Sequence, residues 1–285
     1  MMSSMTFGMI PLFTKPAQDA DIGTFSIIVY RFIFASIAMY IIMLFKRCNL
    51  RITGMELLKI IGLAVLNLVS AITLFYGYYH LSSGAATTIQ FSYPVFTCLI
   101  MVIFYGEKIS WKTILAIVLA VGGVALLAGV DTGEVSVLGV TLELVSGFTY
   151  ALYIVAVDKL GLNDMEPYKL TFYVFLLSAL LMIPFTALTT GIEVITSPLI
   201  IGSILMLGII PTAVSNFTLL IGVRYVGSTM TAILGALEPL TAIIIGIIIF
   251  SEPFTLINGL GAVAIIISVL LLIKKDKTEE VRLTE

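Results

Sequence analysis

Apolar runs separated by short polar turns occupy nearly the whole chain. A run of about 20 apolar residues is enough to cross the hydrocarbon core as a helix. Ten such spans can be placed, at 1–13, 22–45, 57–79, 83–105, 113–130, 137–156, 168–189, 199–223, 228–250 and 256–273. Lipid offers no partner to a bare backbone, so the spans must be helical. The pattern predicts an all-α membrane protein with ten transmembrane helices. The connections leave no room for a soluble domain, and only the tail at 274–285 is water-soluble in character.

The same pattern repeats. Sliding 74–108 onto 219–253 without a gap pairs Leu74 with Leu219, Gly77 with Gly222, Ser83 with Ser228, Pro94 with Pro239 and Glu107 with Glu252. The offset of 145 also pairs Asn67 with Thr212, Ser70 with Ser215 and Ala71 with Asn216. This divides the chain into repeats at 1–130 and 137–273. Embedded repeats with a proline at the same depth in each are a transporter signature, because solute sites sit where such repeats face each other.

Composition agrees: 60% of residues are hydrophobic and 11% charged, with a mean hydropathy of +1.15, whereas a soluble domain is about a quarter charged. The basic residues orient the chain. With the N-terminus in the cytoplasm, inner loops and the tail hold Lys46, Arg47, Arg51, Lys59, Lys108, Lys112, Lys159, Lys169, Arg224, Lys274, Lys275, Lys277 and Arg282. Outer loops hold Lys15 alone, and Arg31 falls inside span 2. The positive-inside rule then places both termini in the cytoplasm of a multi-pass cell-membrane protein. The connection between spans 2 and 3, with the first turn of span 3, has four basic residues; its counterpart at 191–198 has none, and contains Glu193. Five spans per repeat therefore force the second copy in inverted. Duplication without transport is the plainer alternative.

Several chemistries drop out. Cys48 and Cys98 have no metal-ligand or disulfide spacing, His80 is the lone histidine, and no nucleotide motif is present. No cofactor, metal or nucleic-acid partner is expected; the expected partners are a small-molecule substrate and the bilayer. An intramembrane transferase would need a His, Asp or Lys cluster, and a channel a continuous polar path or charged rings. A secondary transporter fits better.

Polar residues inside the spans are the candidate site. Glu238 sits near the middle of span 9, just before Pro239, where an ionisable group costs about 2.5–3.5 kcal/mol and by default marks a pathway. Its repeat counterpart is Tyr93, and that asymmetry suits proton coupling or solute binding. The structural alternative is a glutamate satisfying the carbonyl freed by Pro239. Glu143 shares a face of span 6 with Ser146, Gly147, Tyr150 and Tyr153, a face suited to a cavity wall or an outer gate. Arg31 is about 13 Å deep, so it requires a carboxylate partner from Glu143, Glu238 or the substrate, unless an ion pair merely fixes packing. Asn67, Ser70, Gln90, Tyr93, Ser215 and Asn216 complete a lining; singly, each is better explained by interhelical hydrogen bonding. Pro94 and Pro239 mark helix breaks. Gly122, Gly123, Gly246, Gly259 and Gly261 read as close-packing positions, with spans 5 and 10 offering a homodimer contact. Glu107 and Glu252 read as caps or gate groups, Lys112 being one base within reach.

The two five-span halves, the prolines of spans 4 and 9, and Phe104-Tyr105-Gly106-Glu107 with Phe250-Ser251-Glu252-Pro253 resemble the EamA-type family of the drug/metabolite transporter superfamily. Leu237-Glu238-Pro239-Leu240 and Tyr30-Arg31-Phe32 are similar to its ninth- and second-helix patterns. The resemblance implies ten helices, an export function as in many members, and a cavity lined by helices 1–4 and 6–9, with 5 and 10 outside. The aromatic and amide lining would suit amino acids or other metabolites, and Arg31 a carboxylate. Span 1 departs from the resemblance: about 13 residues reach only about 20 Å. That shortfall predicts either further apolar sequence, preceded by a basic residue, upstream of Met1, or a short first helix that thins the bilayer locally.

Overall fold

The computed structural model describes residues 1–77, 79–81, 86, 89–128, 136–162, 164–250 and 256–284. Ser83, Glu252 and Pro253 lie outside the described residues, as do Val130 and the side chains of Gly246 and the tail. Every described element is a helix: α1 (Met2–Phe7), α2 (Ile10–Gln18), α3 (Thr24–Phe45), α4 (Gly54–Gly77), α5 (Tyr93–Tyr105), α6 (Trp111–Ala128), α7 (Val137–Lys159), α8 (Pro167–Thr189) and α9 (Pro198–Gly208). A π-helical segment, Ile209–Val214, leads into α10 (Ser215–Leu234), α11 (Leu237–Phe250) and α12 (Leu256–Thr284). Among the described residues, five stretches are long and apolar enough to cross a membrane: α3, α4, α7, α8 and the continuous Pro198–Leu234. Shorter apolar helices accompany them.

The departures from uniform spans have local causes. The first span is two helices, α1 and α2, and it runs past Lys15 and Pro16 to Gln18 rather than stopping at residue 13. In the fourth and ninth spans the chain turns at Phe91–Ser92 and at Gly235–Ala236 before α5 and α11 begin. Pro94 and Pro239 dictate this: a proline ring clashes with the carbonyl four residues back, but sits comfortably in a first helical turn. Pro211 likewise leaves the Leu207 carbonyl without its helical donor, and the Thr212 hydroxyl supplies one at 2.7 Å; the helix widens to π geometry there. The 37-residue Pro198–Leu234 stretch is interrupted at Gly227 (φ 79, ψ 170), a conformation open to glycine, at the predicted connection between spans 8 and 9.

Packing centres on α7, which lies against α4, α5 and α10. A second layer pairs α3 with α8, where Phe32 and Phe175 stack at 5.6 Å. α1 packs on α10 and α11, and α9 on α2 and α3. α6 and α12 pack mainly on each other, away from the centre. Their crossing uses the small residues read from sequence as close-packing positions: a Cβ on Gly123 would stand 2.8 Å from the Gly261 carbonyl oxygen. Gly208 does the same for α9 on α3, where a Cβ would stand 2.6 Å from Phe34 Cβ and 3.0 Å from the Arg31 carbonyl oxygen. Replacing Gly208 with Val should therefore destabilise the bundle by about 1–3 kcal/mol, read as a lowered Tm of the purified protein; an unchanged Tm would mean that the two helices part without cost.

Candidate functional site

A small cavity of about 40 Å³ lies at the centre of the bundle, lined by Arg31 from α3, Asn67 and Ser70 from α4, Gln90, Tyr150 from α7 and Asn216 from α10. Each was a candidate from sequence. Phe7, Phe32, Phe175 and Thr212 line it too and were not among the chosen residues. The volume admits a few waters at most.

Arg31 is buried. Its Nε donates to Thr212 Oγ1 at 2.6 Å, and its guanidinium lies 5.7 Å from the centre of the Phe7 ring. Thr212 is aimed at it because its own proton is committed to Leu207. Glu238 is a carboxylate that feels the charge of Arg31. Glu238 stands in the first turn of α11, where the helix dipole favours a carboxylate. The carbonyl of Gly235 is taken by the Glu238 backbone N–H at 2.8 Å, so the side chain is not needed to satisfy it.

Aromatic residues connect Glu238's surroundings to the cavity. The Tyr93 hydroxyl fills the space beside Gly235, where a Cβ would stand 1.6 Å from it. The Tyr93 ring meets Tyr150 edge-on at 5.0 Å, Tyr150 stacks on Tyr153 at 6.2 Å, and Tyr153 donates to Asn216 Oδ1 at 2.9 Å. Ser70 and Ser146 exchange hydrogen bonds, each hydroxyl donating to the other's carbonyl, at 3.1 and 2.9 Å.

Two candidates stand elsewhere. Ser215 turns from the cavity to Ser3, donating to its carbonyl at 2.9 Å, because α1 packs directly on α10. Glu143 does not reach the cavity or Arg31: it lies one to two turns away along α7, against Gly77 at the end of α4. The expectation that Glu143 forms part of the cavity wall is corrected accordingly.

A wider pocket of about 340 Å³ opens where the ends of α5 and α7 meet the Gly227 turn. It lies at the end of the bundle that carries Lys159 and Arg224. Here Glu107 accepts from Thr229 Oγ1 at 2.9 Å, and Asp158 accepts from Ser228 Oγ at 3.1 Å while pairing with Lys159 at 3.2 Å. Glu107 thus ties α5 to α10. At the opposite end, Glu193 accepts from the Gly23 backbone N–H at 2.8 Å, and its carbonyl accepts from the Tyr30 hydroxyl at 2.8 Å.

Two helix breaks beside a buried arginine and a half-buried glutamate, within an apolar bundle, are the marks of a membrane transporter, and the comparisons agree. The profile of the EamA-like transporter family matches residues 1–129 and again 137–274. The chain belongs to the EamA-like transporter family. It is 28% identical over 225 residues to an uncharacterized transporter of Archaeoglobus fulgidus, covering 78% of each chain. It is 27% identical over 282 residues to the uncharacterized transporter YcxC of Bacillus subtilis, covering 93% of this chain and 88% of that one. A solved structure described as the crystal structure of a protein has the same fold, with a TM-score of 0.82 at 14% identity over 95% of this chain and 93% of its own. This EamA-like chain is therefore a multi-pass membrane transporter, and its partners are a small-molecule substrate and the lipid bilayer.

Proposed function

We propose that this EamA-like protein is a secondary transporter of ten helices in two inverted repeats, exporting a small organic solute such as an amino acid across the cell membrane by alternating access. The observation that carries this is a duplicated set of side-chain bonds around one central cavity. Ser3 with Ser215 matches Ser146 with Ser70; Tyr30 on the Glu193 carbonyl matches Tyr173 on the Leu50 carbonyl. Partners correspond at offsets of 143 to 145 residues, and Phe7 with Tyr150 and Phe32 with Phe175 face each other at the same 143. The helix contacts follow the same exchange: α1 on α10 answers α7 on α4, and α9 on α3 answers α4 on α8. Such internal symmetry lets one set of contacts close as its mirror opens.

Arg31 and Glu238 break the symmetry, their counterparts being Val174 and Tyr93. Opposite charges at an aromatic-walled cavity, Arg31 in its lining and Glu238 behind the Gly235–Ala236 break, suit a solute carrying both a carboxylate and an amine. A solute carboxylate on Arg31 would take that charge from Glu238, which would then hold a proton; solute and proton binding are linked in this way. The Glu107–Thr229 and Asp158–Ser228 contacts form the cytoplasmic gate, with Gly227 as its hinge. A homodimer would use the lipid-facing side of α6, where Gly122 has open space.

Relief of toxicity by a panel of metabolites in cells expressing the protein, followed by uptake of the hits into sealed vesicles, tests the reading; no hit among carboxylated amines would overturn the solute class. Topology is tested separately. Cysteines in the 191–198 loop should be labelled from outside, and cysteines beside Arg51 only after permeabilisation; labelling of both from one side would defeat the inverted arrangement.

A further inference from the structure

The bundle buries a carboxylate that the central cavity does not use. Glu143 is wholly buried, and among the described residues neither of its carboxyl oxygens has a hydrogen-bond partner. Its carboxyl rests on the backbone of Gly77: a Cβ at that glycine would stand 2.0 Å from Oε1 and 2.7 Å from the carboxyl carbon. Gly77 is the last residue of α4, and its carbonyl accepts the N–H groups of His80 at 2.9 Å and Leu81 at 3.0 Å.

Three features of this place act together. A buried carboxylate anion with no donor costs several kcal/mol. The C-terminus of α4 presents the negative end of its dipole, which adds to that cost. The absence of a side chain at residue 77 lets the carboxyl approach the helix end closely. A neutral carboxylic acid removes the charge and gains a proton to share with the helix-end carbonyls. Helix C-termini facing an acidic side chain are also where transporters hold coupling cations.

The titratable groups on the flanking elements are few. His80, exposed, places its Cβ beside Gly139, one turn outward on α7. Tyr76 and Tyr79 stand at the same end of α4 and are exposed. Tyr93 on α5 is deeper, facing Tyr150. Arg224 of α10 is at the opposite end, bonded to the Leu162 and Met165 carbonyls.

We propose that Glu143 is a proton-binding site, separate from the central cavity, whose protonation fastens α7 to the end of α4 and closes the outer half of the bundle. Separation of α7 from α4 at this end wets the carboxyl and lets it ionise. Higher pH therefore favours the outward-open form, with no solute present. The proposal rests on the alternating-access reading for what the closure does, but its test uses no solute, so failure of transport and failure of this site are distinguishable.

The experiment has two readouts on the full-length protein in lipid vesicles. Infrared difference spectra should show a protonated carboxyl band that declines as pH rises, absent in Glu143→Gln and retained in Glu238→Gln. Leu74→Cys, in a chain carrying Cys48→Ser and Cys98→Ser, should be labelled from outside increasingly as pH rises. In Glu143→Gln, labelling should stay low at every pH. Gly77→Ala, whose new methyl displaces the carboxyl, should raise labelling at low pH. An unchanged band or an unchanged labelling profile in Glu143→Gln would overturn the proposal. So would loss of the band on adding sodium at fixed pH, or removal of the pH dependence by His80→Gln instead.

Discussion

Arg31→Ala is expected to weaken recognition of a carboxylated solute severely while leaving the protein folded in the membrane. Arg31 is the cation that lines the central cavity, and its geometry is set by Thr212 on one side and Phe7 on the other. A hydrogen bond to a charged group contributes about 1.5–3 kcal/mol, so the apparent affinity should weaken about 10- to 100-fold. The fold should tolerate the change, because Thr212 keeps its own donor bond to Leu207 and is left with no orphaned proton. Arg31→Lys should fall between the two, since it retains the charge but loses the planar fork. The measurement is solute uptake into vesicles over a range of concentrations, with membrane abundance determined in parallel. An Arg31→Ala protein with wild-type KM would remove Arg31 from the solute site.

Glu238→Gln should abolish the dependence of transport on a pH gradient while sparing abundance. The substitution keeps size and hydrogen-bonding capacity and removes only titration. Its position favours such a role: the group stands at the head of α11, behind the Gly235–Ala236 break, within reach of the Arg31 charge. A solute that draws Arg31 away alters the charge Glu238 feels, which is the linkage proton coupling needs. Solute exchange between the two sides should survive in the variant, and accumulation driven by the gradient should not. Accumulation that still follows the pH gradient would return Glu238 to a structural role and move the coupling to another group.

The sequence already carried much of this site, and the reasons are physical. Apolar run length fixes helices because lipid permits little else. Pro94 and Pro239 announced their breaks through chemistry local to the backbone. Arg31, Asn67, Ser70, Gln90, Tyr150 and Asn216 were legible because polar groups inside a span are costly and therefore placed. Phe7, Phe32 and Phe175 were not, since an aromatic residue in an apolar run looks the same facing lipid or a cavity. The 143-residue spacing of Phe7 to Tyr150 and of Phe32 to Phe175 was a usable signal, hidden by the two-residue shift from the 145 offset of spans 3 and 4. The places of Ser215 and Glu143 depend on which neighbour each helix meets. Periodicity gives a helix's face but not its partner: Ser215 meets Ser3 on α1, and Glu143 meets a glycine on α4.

Counterflow tests the central claim most directly. Vesicles containing the purified protein are loaded with an excess of unlabelled solute identified by the metabolite panel, and a trace of labelled solute is added outside. A carrier that alternates access around one central site predicts a transient accumulation of label above its equilibrium level. Label that rises only to equilibrium, with no overshoot, would contradict alternating access and make the pathway a passive one.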